Sequence, residues 1–317
     1  MFGSLFKTSY ASETFNFFSS INTPSSPSFN VELLSSPSAA TDFDKTGEVV
    51  WPVSVLLSQF LITYEGLRQR LQDGEECNAE TPLRMLELGS GAGLPSATLL
   101  EFYDHFRDRL VLRATDGHEA FISTENGEPG ILSVNVGKYG PNVKALPLLW
   151  GKKKDALDAL SSLSGSASPS YDVIFAADVV QWGAVVEPLA MTVHALLHPG
   201  QEGARRVKKY PPVFYLGIVE RDDGALKRKF FSLLQSYGFS EARKINYEEY
   251  LGRDLGAGDE AFLFPPKGSE FGGRVCMIYE IFLINLEPKP VLLQRDQILS
   301  TGYEATLTLP CVNANFS

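Results

Sequence analysis

One stretch constrains the fold of this chain more than any other: Leu86-Glu87-Leu88-Gly89-Ser90-Gly91-Ala92-Gly93-Leu94. A short apolar run closes on an acid, and three alternating glycines then turn the chain into a segment of helical periodicity. Glycine suits such a turn because the backbone bends tightly and no Cβ obstructs whatever approaches it. The pattern predicts a strand–loop–helix unit opening at the carboxyl edge of a sheet, where open α/β folds bind their ligands. A structural turn with no ligand is the alternative at this point.

The surrounding chain repeats the same grammar. LRMLEL, LVLRATD, VKALPLLW, YDVIFAAD, PPVFYLGIVER and VCMIYEIFLINL read as strands separated by helix-length segments. Such alternation predicts a mostly parallel α/β sheet with helices on both faces. WPVSVLLSQFLITYEGLRQRLQ reads as one helix, with Pro52 tolerated in its first turn. Residues 1–45 are rich in Ser, Pro, Thr and Asn and predict a flexible arm. The folded domain is expected over 46–286, and 287–317 form a C-terminal extension that the pattern leaves undefined.

Composition bears on partners. The 317 residues are 44% hydrophobic, enough for a sizeable core, and 28 bases against 38 acids leave a net charge of −10. That surplus excludes bulk attraction to a phosphate backbone, so no nucleic-acid partner is expected. No apolar run reaches the ~18 residues of a membrane span. Cys77, Cys276 and Cys311 are too scattered for a disulfide framework or a cysteine-built zinc site, and the four histidines share no metal-ligand spacing. His194 and His198 stand four apart on an expected helix, without an accompanying carboxylate pair. No metal is expected, and the reading is a soluble protein of a reducing compartment, cytoplasmic or also nuclear. The short basic runs at 152–154 and 205–209 read as solvated loops.

The ligand expectation comes from charge. Glu87 stands two residues before the first glycine, and the G-x-G-x-G spacing departs from the dinucleotide-binding form. A carboxylate there repels a pyrophosphate and attracts an ammonium group, which favours a cofactor with a cationic amino-acid end such as S-adenosylmethionine. Asp116 ends the next strand, placed to receive both ribose hydroxyls or to cap the following helix. Trp51 reads by itself as a packing anchor and Trp150 as a sheet-edge core residue. Asp178 ends a continuous apolar strand, where it can face a ligand or cap a helix.

Together, Gly47-x-x-Val50-Trp51-Pro52, LELGSGAGL, ATDG, LPLLWG and YDVIFAADVV resemble the seven-strand S-adenosylmethionine-dependent methyltransferases. Within them the chain is most similar to the methyltransferase-16 family of mainly protein lysine methyltransferases, over roughly residues 46–284. The resemblance implies a Rossmann-like seven-strand sheet, S-adenosyl-L-methionine as cofactor and a protein substrate. It also implies cofactor contacts at Trp51, Glu87, Gly89, Ser90, Gly91, Gly93, Asp116, Trp150 and Ala177, with Trp150 stacking on the adenine. Asp178 would take the acceptor amine. Here the chain departs from the pattern: Gln181 stands where the family has an aromatic residue, with Trp182 following. Two other readings therefore stay open, a small-molecule N- or O-methyltransferase and a cofactor-binding interaction module.

Overall fold

A computed structural model of the chain describes residues 10–18, 28–36, 47–73, 77–78, 81–163, 170–198, 209–220, 223–245 and 276–284. The glycine-loop unit is present as expected. Strand β3 (Leu83–Leu88) leads through the loop into helix α3 (Leu94–Phe102), whose N-cap Gly93 is left-handed. Strands β4 (Leu110–Asp116), β5 (Val143–Pro147), β6 (Val173–Ala177) and β7 (Val213–Val219) follow, each parallel to its neighbour. Strand β9 (Cys276–Phe282) pairs antiparallel with β7 and with the two-residue β8 (Arg243–Lys244).

The seven strands lie in the order β5-β4-β3-β6-β7-β9-β8. From β3 the chain first steps outward through β4 to β5, then returns to place β6 on the other side of β3. That reversal opens a crevice above the carboxyl ends of β3 and β6, the usual ligand position in such sheets. Register sets the crevice floor: Leu88 lies beside Thr115 and beside Ala176, so the ends of β3, β4 and β6 finish at one level.

Helices cover both faces, which explains the continuous apolar strands. Helices α1 (Pro52–Thr63), α3 and α4 (Ile131–Gly137) contribute to one buried cluster, with Leu57, Phe60, Leu99 and Leu132 fully inside. Helices α5 (Lys153–Ser161), α6 (Gly183–Leu197) and α7 (Ala225–Ser236) form the other, around Ala159, Leu189, Val193 and Phe230. The expected single helix from Trp51 is broken. Tyr64 adopts an extended conformation, and α2 (Glu65–Gln72) begins after it. Tyr64 stacks on Phe60 and donates to Glu280 at 3.0 Å, tertiary contacts that fix the break. No described helix is long and apolar enough to cross a membrane.

The largest departure lies in the expected flexible arm. Strands β1 (Ala11–Phe18) and β2 (Ser28–Ser35) form an antiparallel hairpin. Phe17, Val31 and Leu33 are buried in the cluster shared with α1, α3 and α4. Gln59 of α1 clamps the hairpin: its Oε1 accepts from Phe18 N at 3.0 Å and its Nε2 donates to Phe18 O at 2.9 Å. Alternation within ETFNFF and FNVELL is short, and the surrounding Ser and Pro conceal it. The C-terminal extension at 287–317, Cys311 and residues 205–208 of the second basic run lie outside the described residues. Lys209, the last of that run, pairs with Asp73 at 2.7 Å.

Candidate active site

The three glycines are all left-handed, with φ of +63° at Gly89, +53° at Gly91 and +83° at Gly93. Side chains are excluded there by space as well as by conformation. A Cβ on Gly89 would sit 2.9 Å from Val179 Cγ1 and 3.1 Å from Trp150 Cζ2; one on Gly91 would sit 2.3 Å from the Gly47 carbonyl oxygen. These contacts bring the Gly47–Pro52 segment, the turn at Trp150 and the end of β6 to one loop.

The loop is fastened from below and from the side. Ser90 N donates to Thr115 O at 2.9 Å, and Thr115 N donates back to Ser90 Oγ at 3.0 Å. Gly91 N donates to Asp116 Oδ2 at 2.9 Å. Asp116 Oδ1 accepts from His118 N at 2.9 Å, an Asx turn of the kind an acid at a strand end favours. Each carboxylate oxygen retains further acceptor capacity. Burial raises the Asp116 carboxyl above its ordinary range, opposed by the His118 and Gly91 amides.

Two expected cofactor residues have buried, inward-turned side chains. Ser90 turns its hydroxyl inward to the β3–β4 seam, where it meets Thr115 N and the Glu87 carbonyl. The Glu87 carboxylate is 1% exposed and lies under the loop, taking hydrogen bonds from Ser96 N at 3.2 Å and from the Ser96 hydroxyl. Burial pushes its pKa up to about 8 against the pull of the Ser96 bonds. An acid so desolvated holds its proton near neutrality.

On the other side of the crevice, Ala177 and Trp51 each pack against the buried cluster of Val53, Val219 and Cys276. Trp51 is half-buried as the N-cap of α1. Trp150 follows the end of β5 in a turn, with Gly151 N anchored to Thr192 Oγ1 at 2.8 Å. Its indole Nε1 is buried without a hydrogen-bond partner among the described residues. Buried donors are seldom left so.

Asp178 is the sole non-glycine residue with positive φ among the described residues, at +56°. It is 4% exposed and accepts from Val219 N at 3.4 Å and from Gln181 Nε2 at 3.0 Å. Gln181 Nε2 also donates to the Asp178 carbonyl at 2.6 Å. The residue that breaks the family pattern thus holds the acid through its amide nitrogen, leaving the amide oxygen as its other end. Trp182 is 45% exposed at the start of α6. Left-handed backbone at a non-glycine residue is the kind of strain that gathers at functional sites.

Sequence reasoning missed three contributors: Thr115, Ser96 and the carbonyl of Gly47. The first two are ordinary hydroxyl residues inside elements, and only the third had a signal, in the Gly47-to-Pro52 spacing.

The family model described as "Lysine methyltransferase" matches residues 39–209, more than half of the chain. The chain belongs to that lysine methyltransferase family. Family membership and the seven-strand topology imply S-adenosylmethionine as the methyl donor. Among curated relatives, this lysine methyltransferase family member is 23% identical over 151 residues to protein-lysine N-methyltransferase EFM3 of Saccharomyces cerevisiae. The match covers 48% of this chain and 43% of the yeast protein, so it spans less than half of that relative. Solved structures similar to it include the DszA carbon methyltransferase, at 16% identity and a TM-score of 0.44 over 73% of this chain and 53% of that one. The citrinin polyketide synthase CMeT domain aligns with 14% identity and a TM-score of 0.43 over the same shares.

Proposed function

We propose that this protein transfers a methyl group from S-adenosylmethionine to a lysine side chain of a protein substrate. The observation that carries the reading is the common level of the β3, β4 and β6 ends. There the glycine loop, Asp116 and the Ala177–Asp178 turn share one crevice. The residues fit the donor. Three glycines keep Cβ atoms out of the cradle, Asp116 has acceptor capacity left, and the Trp150 indole lies against Gly89 with an unanswered N–H.

The bound donor supplies a methyl group on a positively charged sulfur, already activated for displacement. In this reading, Asp116 takes the ribose hydroxyls, Trp150 lies beside the adenine, and Trp51 and Ala177 wall the donor's other side. Gly89, Gly91 and Gly93 admit the amino-acid end. Ser90 and Glu87 act one layer down, holding the loop. Asp178 accepts a hydrogen bond from the incoming amine and orients its lone pair, while Gln181 fixes the carboxylate. Positioning is the main demand of an in-line displacement on an activated donor. The yeast relative's name supports a protein lysine as acceptor, and a cytoplasmic setting is part of the same reading.

Two measurements test this. Titration calorimetry with S-adenosylhomocysteine should show one site per chain, weakened by about 1–3 kcal/mol in Asp116→Ala. Incubation of the enzyme with cell lysate and labelled donor should label a discrete protein. Label confined to the small-molecule fraction would replace the protein acceptor with a small one.

A further inference from the structure

The hairpin and the glycine loop meet at one side chain. Asn135, on α4, is 3% exposed and carries three hydrogen bonds. Its Oδ1 accepts from Leu34 N at 2.7 Å, and its Nδ2 donates to Leu34 O at 2.8 Å, so it pairs with β2 like a strand edge. The same Nδ2 donates to Ala92 O at 2.8 Å, inside the glycine loop. Both amide hydrogens are thereby used, one on each structure.

The neighbourhood points the same way. Leu132 and Val136, also on α4, lie 2.7 Å and 3.3 Å from where a Gly93 Cβ would stand. On the hairpin side, Ser36 N donates to Glu48 O at 2.9 Å, just beyond β2. Glu48 follows Gly47, whose carbonyl covers Gly91. The hairpin is therefore tied to the loop twice, once under it through Asn135 and once over it through the Gly47–Glu48 segment.

We propose that Asn135 is a positioning residue for the methyl donor: by holding the Ala92 carbonyl against the docked hairpin, it fixes the glycine loop in its donor-binding shape. The proposal rests on the reading that this loop binds the donor. The loop has three left-handed residues in five, and Gly93 N is held by Ser90 O at 2.7 Å from within the loop itself. Of its carbonyls, that of Ala92 is drawn toward α4. Without that hold, Ala92 and its glycine neighbours gain backbone freedom that donor binding must then remove. Asn135 does not touch the donor in this account; its effect is on affinity, not on the chemical step.

A matched pair of full-length variants tests it. Asn135→Ala removes the bridge, whereas Gln59→Ala removes a hairpin anchor that does not touch the loop. Both should lower the melting temperature. Affinity for S-adenosylhomocysteine should fall about tenfold or more in Asn135→Ala, and stay within about twofold of the parent in Gln59→Ala. In turnover, the donor KM should rise in Asn135→Ala with kcat nearly unchanged. Should Asn135→Ala fail to fold, Asn135→Ser keeps one hydroxyl donor and gives the same comparison, with backbone exchange at 89–93 as a second readout. Unchanged affinity in the folded Asn135 variant, or an equal loss in Gln59→Ala, overturns the proposal. The failures are distinguishable: if Asp116→Ala also binds like the parent, the cofactor site itself has been misplaced.

Discussion

The two halves of the crevice are built by different means. The proposed donor half, from Gly89 to Asp116, is held by its backbone groups: Ser90 N bonds the Thr115 carbonyl, Gly91 N the Asp116 carboxylate, and the Ala92 carbonyl takes the Asn135 amide. Its shape follows from three residues that lack a Cβ, and its side chains mostly hold the loop from beneath. The proposed acceptor half, from Asp178 to Trp182, is a strained turn tied to β7 through Asp178, braced by the Gln181 amide and ending in a half-exposed indole. On the proposed reading, the donor is met by geometry that glycines enforce, whereas the acceptor is met by side-chain identity, and there Gln181 departs from the family pattern.

Substitutions can sharpen that contrast. Gly91→Ala should do the most damage, because a Cβ there meets the Gly47 carbonyl at 2.3 Å in a left-handed backbone. We expect a loss of about 3 kcal/mol or more in urea unfolding, and no measurable S-adenosylhomocysteine binding. Gly127→Ala, equally left-handed but with nothing within 4 Å, should cost about 1–2 kcal/mol and leave binding intact. Equal penalties at the two sites would remove the crowding argument.

Asp178→Asn comes next. Asparagine tolerates positive φ, so the turn should persist. Turnover should drop roughly 100-fold with donor affinity held within about threefold. A parallel loss of donor binding would mean that the two halves are not separable.

Glu87→Gln has a smaller effect whose sign depends on pH. The folded pKa of about 8 stands above the ordinary 4.5. The stability Glu87 contributes is therefore fully present below pH 4.5 and is lost as pH rises towards 8. The neutral glutamine should make the variant more stable than the parent by more than about 1 kcal/mol at pH 8, with the gap closing towards pH 5. A pH-independent difference would indicate a repacking effect. Least of all, Trp182→Ala should leave the melting temperature unchanged, since the ring is 45% exposed, and raise the acceptor KM by about threefold. A loss of several degrees would make Trp182 structural.

The strand–glycine-loop–helix unit was legible because its determinants are local. Glycines at Gly89, Gly91 and Gly93 announce a turn wherever they occur after an apolar strand, and Asp116 ends the next strand with an acid. The mostly parallel sheet followed from alternation, and its seven strands from the resemblance. What sequence did not reveal depends on contacts between distant segments. Whether Glu87 faces a ligand or Ser96 is decided by a side-chain rotamer, and Ser90 carries no mark of pairing with Thr115. The hairpin is legible only once Phe17 and Val31 are seen against α1 and α3, since composition at 1–45 is that of a solvated arm. Gln181 was visible as a departure, but its grip on Asp178 needed the positive φ that folds the turn back on itself.

The most direct test is chemical identification of the methylated group. Full-length enzyme is incubated with lysate and donor carrying a labelled methyl group. The labelled protein is then hydrolysed to amino acids, with Asp178→Asn run in parallel. The account predicts that the label co-elutes with methylated lysine and largely disappears in Asp178→Asn while that variant still binds S-adenosylhomocysteine. Label on any other amino acid, or undiminished methyl-lysine in Asp178→Asn, would contradict it.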